Sequence, residues 1–175
     1  EMESGCGIAP IKYRNKSLVH ALQWAIGLEW YLMVDDPWQV VMSTDHPNGG
    51  SFLAYPQIIR LLMDRTYRQD VIKTVHPAVR QHSQLADLDR EYTMNEIAII
   101  TRAGPARILG LANKGHLGPG ADADVTVIDL DARRPVMSFG SGKPILMRGE
   151  VVGSGTTMIV PPEGLDAATS RGLTP

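Results

Sequence analysis

The chain has 175 residues and a formal net charge of −2, with 43% hydrophobic and 21% charged residues. This composition is typical of a globular protein with one ordinary domain or two small ones. The near-neutral charge gives no basic footprint, so we expect no nucleic-acid partner. No apolar run reaches the roughly 18 residues of a membrane span, so we expect no membrane partner. The single cysteine, Cys6, excludes an internal disulfide and favours a reducing compartment.

The N-terminal residues are typical of the middle of a longer chain. The sequence starts at Glu1, without an initiating methionine. We therefore interpret it as a fragment whose N-terminal portion is missing.

The first predicted element is an amphipathic helix. Ser17 is a typical N-cap, and the Asp35-Asp36-Pro37 run is predicted to end the helix before Pro37. Apolar residues recur at spacings of three and four, which places them on one helical face. They are Leu18, Ala21, Leu22, Ala25 and Leu28.

The next stretch, residues 39–50, combines a buried strand pattern with polar residues. The apolar run 40–42 is typical of a strand buried on both faces. It leads to Asp45 and His46, and then Pro47 and the Gly49-Gly50 pair force a turn. Catalytic groups of α/β barrels lie at such strand ends, so Asp45 can ligate a metal or take a proton. An aspartate after a strand is also a common turn former, and the residues alone leave both interpretations open.

Further helices are predicted downstream. Pro56 can open one at its first position, and another covers residues 68–75. Residues 93–96, Thr-Met-Asn-Glu, have the spacing of a capping box. They are predicted to start a helix that runs to about Arg102 and stops at Gly104-Pro105.

The character of the chain changes near residue 112. Frequent glycines then separate short apolar runs, which indicates β structure. We therefore predict a helix–strand domain over residues 1–111 and a β domain over 112–160. The small, polar residues of 161–175 are predicted to form a frayed tail.

Residues 93–130 closely resemble the closing signature of the metal-dependent amidohydrolase superfamily. In that family a helix ends at Thr-x-x-x-Ala-x-x-Leu-Gly, and Lys-Gly-x-Leu-x-Pro-Gly-x-x-Ala-Asp follows. The residues that match here are Thr101, Pro105-Ala106, Leu109-Gly110, Lys114-Gly115, Leu117, Pro119-Gly120 and Ala123-Asp124. The resemblance implies an α/β fold: the C-terminal part of a TIM-like barrel, followed by part of a small β-sandwich. We expect Asp122 and Asp124 to stabilise turns.

A narrower resemblance covers residues 18–32 and 43–52. They look like the A subunits of the formylmethanofuran dehydrogenase family and, more closely, like their counterparts in bacterial formyltransferase/hydrolase complexes of C1 metabolism. That family interconverts N-formylmethanofuran, or an analogue, with formate and the free amine. The resemblance implies a dinuclear centre, usually zinc, bridged by a carboxylated lysine. It also implies a cytoplasmic complex with other subunits.

The resemblance assigns roles to four residues. It makes residues 39–45 the eighth barrel strand and Asp45 its terminal aspartate, which touches the metals and moves the proton of the attacking water. A divalent metal can lower the pKa of water from 15.7 to about 7, and a nearby carboxylate can then pass the proton to the leaving nitrogen. His46, Asn48 and Gly49 are implied to line the substrate pocket.

The other metal ligands of the family have no counterpart in this sequence. The His-x-His motif, the bridging lysine and two later histidines are missing, and His20, His76, His82 and His116 do not have their spacings. A catalytic zinc takes about three protein ligands. We therefore predict that these residues alone have no hydrolase activity, and that an exposed barrel edge would favour association.

Two alternatives remain. One is a cyclic amidohydrolase acting on dihydropyrimidine or dihydroorotate rings; the residues that follow Asp45 argue against it. The other is a non-catalytic scaffold that kept the fold and lost its metals, and the presence of Asp45 weighs against that interpretation.

Overall fold

The computed structural model describes residues 13–46, 49–129 and 134–154. The chain divides into two compact units between Leu111 and Ala112, the position at which the sequence changes from helical to β-rich. We call them the helical unit and the sheet unit. The predicted tail, residues 161–175, lies outside the described residues.

Helix α1, Leu18–Met33, is the longest element of the described helical unit. It begins directly after Ser17, as predicted, and ends two residues before Asp35. The apolar spacing is largely confirmed, since the helix buries Ala21, Ala25, Leu28 and Leu32. Leu18, however, is 37% exposed at the first turn.

Helices α2, Tyr55–Met63, and α3, Arg65–Ile72, follow each other almost without a loop. Pro56 lies in the first turn of α2, at its second residue, one position later than predicted. Helix α3 begins three residues earlier than the predicted Arg68, because the Asp64 carboxylate accepts a hydrogen bond from Tyr67 N at 2.8 Å and caps it. The short helix α4 spans Val79–His82.

Arg68 connects the separate parts of the helical unit. Its side chain is fully buried, and its guanidinium donates to the carbonyls of Leu61, Leu88 and Arg90 at 2.8–3.0 Å. Burial lowers the pKa of Arg68 from its usual value, although nearby carboxylates, first among them Glu91, oppose this change. The three carbonyl acceptors offset much of the cost of burying this charge, although the Arg68 Nε has no hydrogen-bond partner among the described residues.

The last helical stretch of this unit is continuous but irregular. The predicted capping box is present: the Thr93 side chain accepts from Glu96 N and the Glu96 side chain accepts from Thr93 N. Helix α5, Met94–Ala98, passes through a π turn, Ile99–Ala103, into α6, Gly104–Ile108. The predicted stop at Gly104-Pro105 is therefore wrong, because the wide π turn accommodates the proline at the start of α6.

The predicted strand at residues 39–45 is not a strand in this structure. A 3₁₀ turn, Pro37–Gln39, is followed by extended backbone from Val40. We call residues 40–45 the site segment. Its backbone hydrogen bond to another element runs from Met42 N to Ile100 O, a helical carbonyl, at 2.8 Å. No strand among the described residues lies beside it, and a strand needs such a partner.

The sheet unit is an antiparallel meander. Strands β1, Val125–Asp129, β2, Arg134–Gly140, β3, Lys143–Met147, and β4, Glu150–Val151, pair in chain order. The β2–β3 and β3–β4 hairpins turn at Ser141-Gly142 and Arg148-Gly149, where both residues have positive φ. Such two-residue turns match the twist of the paired strands.

The described architecture is therefore a mixture of helices and one antiparallel sheet. The predicted β strands after residue 112 are confirmed. One sheet layer is present in ranges 13–46, 49–129 and 134–154, so the predicted sandwich stays a prediction. Across the same ranges, no helix is long and apolar enough to cross a membrane.

Candidate functional site

Side chains and backbone from three helices hold the site segment. Tyr31 of α1 donates its hydroxyl hydrogen to Val41 O at 2.8 Å, and Tyr55 of α2 donates to Met42 O at 3.1 Å. Met42 N donates to Ile100 O at 2.8 Å. Met42 itself is buried in the core of the helical unit. The backbone that leads to Asp45 is thus anchored although it belongs to no sheet.

The π turn explains why Ile100 O is free to accept this bond. Gly104 N donates to Ile99 O, one residue further back than in an α-helix. The next donor in that pattern would be the N–H of residue 105, and Pro105 has none. The Ile100 carbonyl therefore has no helical donor and is satisfied by Met42 N instead.

Asp45 lies where the site segment turns into the following loop. Its φ is +51°, in the left-handed region, which aspartate tolerates better than most residues. Asp45 N donates to the Ser43 hydroxyl at 3.1 Å, and Asp45 O accepts from Gly49 N at 2.7 Å. The side chain is exposed. No donor in the described part of the chain bonds its carboxylate, so its oxygens are available to a ligand.

Gly49 closes the loop in close contact with Asp45. A Cβ atom at position 49 would lie 2.9 Å from Asp45 Cβ and 2.9 Å from Thr44 O. Both atoms belong to or adjoin the backbone and cannot easily move. At Gly50 the nearest atom, Thr44 O, would be 3.5 Å away, an ordinary contact. The loop conformation at Asp45 therefore requires glycine at position 49 and permits a larger residue at position 50.

The remaining predicted pocket residues have different positions. His46 is exposed; its Nδ1 lies 3.3 Å from Gly50 O, and its ring meets that of Phe52 edge-on with centroids 4.9 Å apart. Asn48 lies outside the described residues.

A cavity of about 660 Å³ lies next to the loop. The first turns of α1, residues 43–44 and 49–50, and helices α2 and α3 surround it. Gly49 belongs to the lining, whereas Asp45 and His46 do not. Its polar lining residues include Arg14, His20 and Gln57. No sequence pattern identifies these residues, because they come from separate elements.

The described residues do not form a metal centre by themselves. No three His, Cys, Asp or Glu side chains converge within the ranges that the structure covers. His20 accepts a hydrogen bond from Arg14 N at 3.0 Å, and His116 lies within 3.0 Å of Ala112 O. Asp45 could thus supply one carboxylate to a metal, but the described part of the chain lacks the set of ligands that would hold one.

Sequence reasoning also missed the tyrosines that hold the site segment. Burial raises the pKa of the Tyr31 hydroxyl, with a smaller increase from Tyr55, against an opposing hydrogen bond from the Ser43 backbone. Tyr31 therefore stays protonated near neutral pH and can donate to Val41 O. In the sequence these residues look like ordinary helix-packing aromatics.

In the sheet unit the signature residues form a structural cluster. Lys114 Nζ lies 2.8 Å from Asp122 Oδ2 and 2.5 Å from Asp124 Oδ2, and Asp124 Oδ1 accepts from Ser141 N at 2.7 Å. Lys114 first, and then the Ser141 N–H, lower the pKa of Asp124. The carboxylate of Asp124 thus ties a turn to backbone, as predicted.

The comparisons with known proteins agree with the signature. A profile of the amidohydrolase family matches residues 1–138. The chain belongs to the amidohydrolase family.

Two curated relatives show which members of the family the chain is similar to. The chain is 44% identical to the A subunit of the formyltransferase/hydrolase complex Fhc of Methylorubrum extorquens over 177 aligned residues, which cover 97% of the chain and 31% of that protein. It is 43% identical to protein FwdA of Methanocaldococcus jannaschii over 159 aligned residues, 87% of the chain and 28% of that protein. The chain thus spans about a third of the length of these relatives.

A solved structure is similar as well. It is the crystal structure of the formyltransferase/hydrolase complex FhcABCD from Methylorubrum extorquens in complex with methylofuran. The TM-score is 0.77 at 41% identity, and the match covers 92% of this chain and 32% of that one. At this identity and coverage, the likeness extends beyond the family signature to nearly the whole chain.

Proposed function

We propose that this chain is the C-terminal part of a protein that hydrolyses the formamide bond of N-formylmethanofuran or an analogue. The similarity to the Fhc relative and to FwdA supports the substrate class. The site geometry supports the role of Asp45. Its carboxylate is exposed, and Asp45 itself is in the left-handed conformation at the end of an anchored, extended segment; left-handed non-glycine residues are concentrated at functional sites.

Asp45 would accept and then donate a proton in this reaction. The oxygen of water bonds to the formyl carbon, and the water proton passes to the Asp45 carboxylate. The carboxylate then gives this proton to the amine nitrogen as the C–N bond breaks, which releases the free amine and formic acid; the acid loses the remaining water proton to solvent and leaves as formate. The reverse sequence of steps forms the formamide.

The proposal also covers the fold of the full-length protein and its metal centre. We propose that in the full-length protein the site segment pairs with strands from outside this chain and becomes the last strand of a TIM-like barrel, and that the sheet unit belongs to a small β-sandwich. A dinuclear zinc centre would take most of its ligands from parts of the protein outside this chain, because the described residues do not hold a metal alone. Such a centre, when bound, would make water more acidic, and Asp45 would then receive its proton more readily.

The cavity next to the loop supports binding of a carrier that is larger than its formyl group. At about 660 Å³, it falls within the usual size range of ligand pockets, roughly 300–1,000 Å³. We propose that it accommodates part of the carrier, and that Gly49 and His46 lie along the path to Asp45. We also propose that the protein works in a cytoplasmic complex with other subunits, as the Fhc relative does by its name.

The test uses the full-length protein and the variant Asp45→Asn. Asparagine also tolerates the left-handed backbone, so the variant removes the charge and the proton acceptor with little other change. We expect formate release from the formylated carrier to fall by about 10²- to 10⁴-fold. Asp87→Asn, at another position in the helical unit, is the matched control and should keep full activity. Undiminished activity of Asp45→Asn would refute the role of Asp45.

A second substrate tests the reaction class. Full-length protein that opens dihydropyrimidine or dihydroorotate rings faster than it releases formate would instead be a cyclic amidohydrolase. Absence of both activities, in full-length protein supplied with zinc, would indicate a non-catalytic scaffold.

A further inference from the structure

Helix α1 is apolar on two opposite sides. One side packs into the core of the helical unit through Ala21, Ala25, Leu28 and Leu32. At 3.6 residues per turn, a second set of apolar side chains faces the other way, and each of them is 45–66% exposed. We call this set the outer stripe; it consists of Val19, Ile26, Trp30 and Met33.

Helix α1 also lacks the charged face of a surface helix. Glu29 is the one charged residue among its 16 residues. Its carboxylate bonds within the helical unit, where it accepts from the Ser83 hydroxyl at 2.8 Å and from Gln84 N. A helix that stays at the surface of a complete protein normally turns charged residues to water, whereas a helix that is apolar all round is buried. The composition of α1 therefore indicates that the outer stripe is covered in the complete protein.

The spacing of the outer stripe fits a second helix. Its residues follow each other at intervals of seven, four and three, the repeat that lines up side chains along a helix–helix contact. The stripe is about 21 Å long, from its first to its last residue. A groove of about 270 Å³ lies along its C-terminal half and can take an apolar side chain of a facing helix. The groove is lined by Ile26, Glu29, Trp30, Met33 and Val34.

We propose that a helix from the part of the full-length protein outside this chain packs along the outer stripe. This inference rests on the proposal that the chain is part of a longer protein, and it does not depend on the reaction. The chain covers 31% and 28% of its two curated relatives, so most of a protein of that length remains to pack against it. A segment of the same polypeptide has a high effective concentration at the stripe, which favours it over a second copy or another subunit.

The conformation of α1 is compatible with such a contact. An α-helix satisfies its backbone hydrogen bonds internally, so α1 needs no strand partner and offers only side chains to the covering helix. Unlike the site segment, α1 therefore keeps its own hydrogen bonds when the rest of the protein is present.

Methionine oxidation in the unsubstituted full-length protein tests whether the outer stripe is covered. Hydrogen peroxide converts an accessible methionine to its sulfoxide, and peptide mass spectrometry measures each methionine separately. With no other subunit present, Met33 should oxidise at least about 10-fold more slowly in the folded protein than in urea, because a covered side chain reacts only when the structure opens. Met42, which is buried in the core, is the matched control for a covered methionine.

Two results would overturn the inference. Oxidation of Met33 at the rate measured in urea, both in the full-length protein alone and in its complex, would show that nothing covers the stripe. Protection that appears only after other subunits are added, or only at concentrations at which the protein self-associates, would make the stripe an interface between chains.

Photo-crosslinking identifies the covering segment. With p-benzoylphenylalanine in place of Val19 in the full-length protein, we expect a cross-link to a peptide of the same polypeptide outside these 175 residues. Apolar residues should recur in that peptide at spacings of three and four. The same replacement at Arg80, which is exposed in α4, is the control and should not capture that peptide.

A cross-link from position 19 to another subunit, or to a residue within this chain, would contradict the inference. Neither experiment measures activity, so the two proposals can fail separately. A full-length protein without formamide hydrolysis can still protect Met33, in which case only the proposed function fails. An active full-length protein with an accessible Met33 would refute only the covering helix.

Discussion

The helical unit and the sheet unit each contain an aspartate at a turn, and the two carboxylates differ in their contacts. Asp124 in the sheet unit receives Lys114 Nζ at 2.5 Å and Ser141 N at 2.7 Å. Asp45 in the helical unit has its backbone fixed, but no described residue donates to its carboxylate. A turn-forming aspartate is structural when the protein satisfies its oxygens. It is available for chemistry when the backbone is held by other groups.

The largest expected effect concerns the chain by itself. We predict that the 175-residue chain, purified and supplied with zinc, releases no formate from a formylated carrier. The described residues provide Asp45 without a set of metal ligands. The measurement is formate release against a zinc-only blank. Zinc-dependent hydrolysis by the isolated chain would mean that a metal bound at Asp45 needs no ligands from outside this chain.

The next prediction compares the two aspartates as targets in the full-length protein. Asp45→Asn should lower kcat by about 10²- to 10⁴-fold and leave Tm nearly unchanged, because its carboxylate stabilises no contact among the described residues. Asp124→Asn should lower Tm and leave kcat nearly unchanged, because it loses the Lys114 ion pair. Thermal melts and initial rates on the same preparations check both halves. Similar effects of the two variants on kcat and Tm would show that the two carboxylates do not differ in role.

A glycine pair tests how strictly the turn at Asp45 is held. Gly49→Ala should reduce the free energy of unfolding by about 1–3 kcal/mol, the usual cost of overpacking, since its Cβ would lie 2.9 Å from Asp45 Cβ. Gly50→Ala should change it by less than about 0.5 kcal/mol. Urea denaturation of both variants measures the difference. Equal stability of the two variants would show that the loop relaxes freely.

The smallest expected effect is the pH dependence of the stability that Asp124 contributes to the sheet unit. The folded pKa of Asp124 is lowered, first by Lys114 and then by Ser141 N. Its contribution to stability is therefore fully present above the unfolded pKa of about 3.9 and is lost as pH falls through the lower folded pKa. Because the Asp124 side chain is 39% exposed, solvent screening keeps this contribution small.

Urea denaturation of wild type and Asp124→Asn between pH 7 and pH 2 measures that contribution. The stability difference between the two proteins should be constant down to about pH 5 and then shrink toward low pH. A difference that grows on acidification would mean that the carboxylate is not stabilised by its charge.

Local signals in the sequence correctly predicted much of the fold. Ser17 marks the start of α1, Pro56 lies in the first turn of α2, and the Thr93 capping box precedes α5. The strand at residues 39–45 and the helix stop at Gly104-Pro105 were wrong. Strand formation needs a partner that the described residues lack, and a π turn carries the helix past its proline.

The candidate site was predictable only in part. Asp45 and Gly49 were proposed as site residues from the strand-to-turn pattern and the family resemblance, and this assignment stays a prediction. Tyr31 and Tyr55 were not proposed, because an aromatic residue on a buried helix face gives no sign of what its hydroxyl will contact. The same is true of the cavity, whose lining comes from α1, α2, α3 and the loop.

By itself, the sequence determined the family, the starts of α1, α2 and α5, the change from helices to strands and the position of an aspartate after an apolar run. These features depend on residues a few positions apart, so short-range rules reveal them. Only the tertiary structure decided which of the two carboxylates accepts hydrogen bonds. Among the described residues, Lys114 and Ser141 donate to Asp124, and none donates to Asp45. It also decided that two tyrosines and one helical carbonyl hold the backbone before Asp45. Those contacts join residues at least ten positions apart, and nothing but folding brings such residues together.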